Sequence, residues 1–209
     1  MKRDSKIIVV AITGGIGCGK SAVAEIIRNM GLIVISSDDN AKEVMVSDEG
    51  VRNKLMSVFG KEVYFEDGSL DTEYLSKVVF GDLPDNEGML AKLNSIVHPV
   101  VIEKLIEDVE YYEKLGEKIV FVESALIFEA ELEEGFDYIV VVDASEKVIF
   151  ERLKKNRNLS DKDIRIRMRQ QLSQELKKQN ADFVIENNGS LEELKKSVEI
   201  IVNILSQVV

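Results

Sequence analysis

Eight consecutive residues, Gly14-Gly15-Ile16-Gly17-Cys18-Gly19-Lys20-Ser21, have the spacing G-x-x-x-x-G-K-S/T of a phosphate-binding P-loop. Glycines there let backbone N–H groups turn inward around phosphate oxygens, and the N-terminus of the following helix adds partial positive charge. In such a loop Lys20 reaches the β- and γ-phosphates and the Ser21 hydroxyl ligates Mg²⁺. Gly15, Gly17, Cys18, Gly19, Lys20, Ser21 and Ala22 are therefore the candidate nucleotide-binding residues, and the expected ligand is a nucleoside triphosphate.

This chemistry needs a strand before the loop and a helix after it. Lys6-Ile7-Ile8-Val9-Val10-Ala11-Ile12-Thr13 is an apolar run of buried-strand type. Ala22, Val23, Ile26, Ile27 and Met30 follow at helical spacing, with Gly31 as a stop. A dinucleotide-binding G-x-G-x-x-G turn fails on spacing, because its third glycine would fall on Lys20 or Ala22.

Composition sets outer bounds. The 209 residues suit one domain or a core with a sizeable insertion, and an apolar share of 45% is ample for a packed interior. No apolar run approaches the ~20 residues of a membrane span. Lys2 and Arg3 precede an apolar run as in a signal peptide, but that short run leads straight into the P-loop. A single cysteine excludes an internal disulfide and fits a reducing cytoplasm. The net charge of −11 argues against a general nucleic-acid binder. One segment departs from it: residues 147–178 carry 11 Lys/Arg against 4 acids, so the rest of the chain stands at −18. A basic segment on an acidic protein suits a local polyanion such as ATP; the alternative for its lysines is a solvated helix face. Nothing in the pattern specifies an oligomeric state.

Five Val/Ile-rich runs, 6–12, 32–35, 119–122, 138–142 and 182–186, alternate with helical patterns at 21–30, 145–155, 161–179 and 190–207. Near-continuous apolarity indicates strands buried on both faces, hence an α/β fold with a five-stranded parallel sheet. Ser190 and Glu193 have capping-box spacing. Between the second and third strands lie about 80 residues, beyond an ordinary crossover. They read as helices at 41–46, 50–59, 71–80 and 86–115, with turns at Gly60, Asp67-Gly68 and Leu83-Pro84-Asp85. A helical insertion there is placed to cover a second substrate.

Other residues could complete the chemistry. Ser36-Ser37-Asp38-Asp39 closes the second strand, where a carboxylate can orient an acceptor hydroxyl. Asp38 is assigned that work, and Asp39 the capping of the next helix. Ile119-Val120-Phe121-Val122-Glu123 has the form of a Walker B strand, with Glu123 placed to order the Mg²⁺ shell beside Ser21. Ala125-Leu126-Ile127-Phe128-Glu129 is expected only to pack the turn after it. Arg152, Arg157, Arg165, Arg167 and Arg169 are candidates for stabilising charge on a transferred phosphoryl group, most of them expected on the surface. His98 is the sole histidine, and His98-Pro99 inside a helical stretch reads as a kink as readily as a site. One His and one Cys make a zinc site untenable.

Taken together these segments resemble the dephospho-coenzyme A kinase family, through nearly the whole chain. The extended P-loop Ile12–Ser21 looks like that family's. Ser36–Val44 is similar to its D-A-D-x-x-A-R-E-V segment, and Leu93–Pro99 matches its L-x-x-x-x-H-P signature. Ala125–Glu129 stands where the family has P-L-L-F-E. Arg167-Met168-Arg169-Gln170-Gln171 and Ala181–Ser190 resemble its R-x-x-x-Q and A-D-x-V-I-x-N-x-G-S segments.

The resemblance implies a P-loop core of 1–38 plus 117–209, a helical CoA-side domain of 39–116 and a lid of 152–175. It implies transfer of the ATP γ-phosphate, with Mg²⁺, to the ribose 3′-hydroxyl of dephospho-CoA. Asp38 then takes the catalytic aspartate position, together with Lys20 and the lid residues Arg152 and Arg157. Asn187 lies near the adenine, and Asp38, Lys42 and His98 lie on the substrate side. Several residues depart from the family pattern. Ser36 replaces the first Asp of D-A-D, Lys42 replaces arginine, Ala125 replaces proline, and Glu123 replaces the usual aspartate nearby. The second lid arginine would fall at Asn156. Arg157 is displaced by one residue, about 100° around a helix.

Two other classes remain. A kinase for a nucleoside monophosphate or another small metabolite would share the loop but not the long insertion and His98-Pro99. A GTPase-type switch would need N-K-x-D, and Asn53-Lys54-Leu55-Met56 lacks the Asp; Asp85-Asn86-Glu87-Gly88 spells D-x-x-G but lies in the insertion. A nucleotide sensor without catalysis is the third reading.

Overall fold

The computed structural model describes residues 7–81 and 88–208. Lys2, Arg3 and Lys6, the turn expected at Leu83-Pro84-Asp85 and the Asp85-Asn86-Glu87 part of D-x-x-G lie outside the described residues. Five strands, β1 (Ile8–Thr13), β2 (Ile33–Ser36), β3 (Ile119–Glu123), β4 (Tyr138–Asp143) and β5 (Phe183–Glu186), form one all-parallel sheet in the order β2-β3-β1-β4-β5. All five expected strands are present.

Parallel pairing brings every carboxyl end to one edge of the sheet, the edge where open α/β sheets bind ligands. Ser36 pairs in register with Glu123, Glu123 with Ile12, and Asp143 with Glu186. The P-loop leaves β1 at this edge, and Asn187 follows β5 at the same edge. Side chains alternate between faces along each strand. Val10, Ile12, Phe121, Val140, Val142 and Ile185 pack into the larger core with α1 (Lys20–Asn29), α6 (Glu146–Arg157) and α9 (Leu191–Ser206). Ala11, Ile139 and Val141 face the opposite way, against Ile127 and Phe128. The central strands β1 and β3 are buried almost throughout, as their unbroken apolarity requires, whereas edge strand β5 alternates.

By its internal contacts the chain divides into Met1–Ser36 with Asp108–Val209, and Ser37–Glu107. The second unit holds α2 (Ser37–Ser47), α3 (Glu49–Phe59), α4 (Thr72–Phe80) and the first part of α5 (Met89–Lys114). Its own core joins Val44, Leu55, Phe59, Leu75, Val97 and Val101. Asp48 and Asp71 cap α3 and α4 by accepting from Val51 and Tyr74 N–H. Among the described residues no helix is long and apolar enough to cross a membrane.

Two expectations are corrected. The helix after β2 starts at Ser37, not Ala41, so Asp39 lies inside its first turn rather than before it. The single helix expected over 161–179 is two, α7 (Asp161–Arg169) and α8 (Gln174–Gln179), because the Ser173 side chain caps a new helix by accepting from Leu176 N–H. At the C-terminal helix the expected capping box is present, with Ser190 and Glu193 each bonding the other's backbone N–H.

Candidate active site

The P-loop runs from Gly14 to the start of α1. Gly19 is the residue before that helix, at φ 99°, and no side chain caps the helix. First-turn amides have no partner inside a helix, so this end is suited to an anion. Glycine is required at 19 on two counts: the positive φ, and a Cβ there would lie 2.2 Å from Asn187 Nδ2. Lys20 Nζ donates to the carbonyls of Gly14 at 2.9 Å and Gly15 at 3.1 Å, which keeps the ammonium over its own loop.

Ser21 Oγ donates to Glu123 Oε1 at 2.8 Å. The two residues are 102 positions apart in sequence, and the β1–β3 pairing brings them together. Glu123 is buried, at 8% exposure. A hydroxyl beside a carboxylate is a hard oxygen pair of the sort Mg²⁺ takes while keeping most of its waters. Among the described residues no cluster of three or more His, Cys, Asp or Glu could hold a metal, so an ion here would take its other ligands from nucleotide phosphates and water.

Arg152 and Asn187 both reach the loop. Arg152 Nη1 donates to Cys18 O at 3.3 Å, and Nη2 donates to the Asn187 carbonyl oxygen at 3.0 Å and to Oδ1 at 3.1 Å. Asn187 Nδ2 donates to Cys18 O at 2.8 Å, and Asn187 N–H to Asp143 O at 2.7 Å. The other arginines sort differently. Arg165 pairs with Glu146 at 3.2 Å and lies over the Phe150 ring, so it serves the α6–α7 packing. Arg157 ends α6 and is exposed; Arg167 is half-buried, and its own desolvation first, then the charge of Arg157, hold its guanidinium below the ordinary pKa. Arg169 is exposed at the end of α7.

Three residues at this site escaped the sequence reading. Gln171 Oε1 accepts from Ile16 N–H and Gln174 Oε1 from Gly15 N–H, each at 2.8 Å. Lys177, one of the lysines for which a nearby polyanion and a solvated helix face were the two readings, fits neither: it is wholly buried and pairs with Glu129 at 2.7 Å. Glu129 also accepts from Leu172 N–H at 3.0 Å, so the turn after β3 anchors the α7–α8 junction instead of merely packing. The sequence did carry a signal for Gln171, inside the R-x-x-x-Q segment; Gln174 and Lys177 sit among polar residues and give none. The Cys18 thiol is buried, and desolvation raises its pKa against the opposing pull of Lys20.

In the second unit Asp38 lies exposed in the first turn of α2, two residues beyond Ser36. Lys42, one turn further, pairs with Asp39 at 3.0 Å. His98 lies in α5 before Pro99, partly buried, and desolvation lowers its pKa. Glu43 and Lys104 join α2 to α5 at 3.2 Å.

With this geometry in hand, comparison with known proteins is decisive. The model of the family described as dephospho-CoA kinase matches residues 8–193. The chain belongs to the dephospho-CoA kinase family. A Bacillus cereus dephospho-CoA kinase is 38% identical over 194 residues, covering 93% of this chain and 95% of that protein. The Thermus thermophilus protein TT1252, of known crystal structure, is 31% identical with a TM-score of 0.77, over 96% of this chain and 99% of that one. A shikimate kinase from Acinetobacter baumannii is 14% identical with a TM-score of 0.54, over 97% of this chain and 96% of that one, a likeness of fold alone. Family membership accounts for the P-loop core with its five parallel strands.

Proposed function

We infer that this protein transfers the γ-phosphoryl group of ATP to the ribose 3′-hydroxyl of dephospho-CoA, giving CoA and ADP. The family match over residues 8–193 carries this reading, and the Ser21–Glu123 contact beside Lys20 supports it chemically. It outranks the small-metabolite kinase, the switch and the sensor, because the family is defined by this substrate.

The reaction is an in-line displacement without a covalent intermediate, so positioning and electrostatic stabilisation supply most of the catalysis. The P-loop amides and Lys20 hold the β- and γ-phosphates. Ser21 and Glu123 would hold Mg²⁺, which when bound neutralises phosphate charge. Arg152 stabilises charge at the nucleotide, with Arg157 acting from the end of α6 as residues 152–175 close as a lid. Asn187 lies by the adenine. On the acceptor side Asp38 orients the 3′-hydroxyl and takes its proton, and Lys42 and His98 bind dephospho-CoA. The single, buried cysteine fits a cytoplasmic setting.

ADP release from Mg·ATP by purified protein tests the reading, comparing dephospho-CoA with AMP, CMP, adenosine and no acceptor, with product mass measured. Acceptor-dependent turnover yielding CoA is expected. ATP binding without turnover of dephospho-CoA would favour the sensor.

A further inference from the structure

Gln174 is engaged at both ends of its side-chain amide. Its Oε1 accepts from Gly15 N–H at 2.8 Å, while Nε2 donates to Asp143 Oδ1 at 2.9 Å, Val142 O at 3.2 Å and Cys18 Sγ at 3.3 Å. These partners belong to the P-loop and to the carboxyl end of β4. The orientation of the amide is fixed chemically: the carboxylate of Asp143 accepts only from the NH₂ end, which leaves the carbonyl for Gly15 N–H. Lys178 holds the other Asp143 oxygen at 3.1 Å. A Cβ on Gly15 would lie 3.2 Å from Gln174 Oε1 and 3.5 Å from Cys18 Sγ, so the side chain fills the space that glycine leaves. With Gln171 on Ile16 N–H, two successive loop amides are held from the α7–α8 segment.

We propose that Gln174 is a positioning residue for nucleotide binding, holding the P-loop in its phosphate-binding shape by tying Gly15 and Cys18 to the end of β4. The proposal rests on the reading that this loop binds ATP. A loop whose amides converge before the ligand arrives avoids an ordering cost that would otherwise subtract from affinity. The side-chain amide of Gln174 is spent on the loop and on β4, so its loss acts on ATP binding ahead of chemistry. Side-chain identity matters too. Leucine at 174 offers neither donor nor acceptor, methionine no donor and only a weakly accepting sulfur, and glutamate sets a second carboxylate against Asp143.

Steady-state kinetics of the full-length Gln174→Met and Gln174→Glu variants test this, together with labelling of Cys18, the single cysteine, by a thiol-specific disulfide reagent. The expected result is an ATP KM raised about tenfold, the equivalent of one hydrogen bond. The kcat and the dephospho-CoA KM should stay within about twofold of wild type. Cys18 in the nucleotide-free variants should label several-fold faster. Unmoved ATP KM and labelling rate would overturn the proposal. So would an even loss across kcat and both KM values with a lowered Tm, since that marks general destabilisation. If Gln174→Met does not fold, Gln174→Glu carries the same readouts. The functional reading fails separately: it falls if wild-type protein does not phosphorylate dephospho-CoA, while the labelling comparison needs no substrate.

Discussion

Arg152 and Asn187, 35 residues apart, converge on one atom, the carbonyl oxygen of Cys18 in the P-loop. The guanidinium donates to that oxygen and to both oxygens of Asn187, a forked geometry that a lysine cannot reproduce. Arg152→Lys should therefore lower kcat/KM for ATP about tenfold to a hundredfold despite keeping the charge, since it forfeits one or two charged hydrogen bonds. Steady-state kinetics decide it. A fully active Arg152→Lys enzyme would mean that charge alone matters at this position.

That convergence marks the limit of what the sequence disclosed. The P-loop and Glu123 were legible because each closes an apolar run whose type and length define a strand, and parallel strands deliver their carboxyl ends to one edge; Asn187 was reached only through the resemblance to the family. The Ser21–Glu123 pairing was foreseeable for the same reason. Lys177 was not: nothing sets one lysine apart within a basic stretch, and its burial rests on partners distant in sequence, the Glu129 carboxylate and the Ala125 carbonyl. The helix expected over 161–179 hid the Ser173 cap, because helical spacing continues through a short break. Asp39 falls inside a helix rather than before one because α2 opens at Ser37, directly after β2, where the sequence reads as the close of the strand.

The Lys177–Glu129 pair yields a stability prediction. Lys177 is fully buried and the Glu129 side chain is 13% exposed, and Glu129 Oε2 has no hydrogen-bond partner among the described residues. Removing one partner leaves a buried charge uncompensated, so Lys177→Met should cost about 3–5 kcal/mol. The double variant Lys177→Met/Glu129→Leu should recover much of that loss, short of about 1 kcal/mol for the forfeited Leu172 N–H bond. Urea unfolding of the single and double variants measures both. Equal losses would show that the side chains act through packing rather than charge.

His98 gives a pH dependence. Burial holds its folded-state pKa below the ordinary 6.5, so on acidification the unfolded chain takes up this proton first. Below 6.5 the unfolded state then binds more protons at this site, and stability falls as pH falls until the folded histidine also titrates. His98→Asn removes that contribution. Its loss of unfolding free energy between about pH 7.5 and about pH 5.5 should be smaller than that of wild type, in matched urea titrations. Parallel losses in the two proteins would mean that His98 titrates alike in the folded and unfolded chains.

Asp38 is assigned the acceptor hydroxyl, and the prediction follows from where its charge acts. Under the proposed function Lys20, Ser21 and Arg152 serve the nucleotide, whereas the Asp38 carboxylate is needed only as the 3′-hydroxyl loses its proton. Asp38→Asn preserves shape and polarity but cannot accept that proton. It should lower kcat by about 10²–10⁴-fold, the usual range for a positioned general base. The ATP KM should stay within about threefold, because an interaction made only in the transition state leaves ground-state binding unchanged. Single-turnover kinetics with saturating Mg·ATP separate the chemical step from product release, so the loss should appear in the first turnover. A variant with unchanged kcat would remove Asp38 from the mechanism, and one with a raised ATP KM and normal kcat would move it to the nucleotide side.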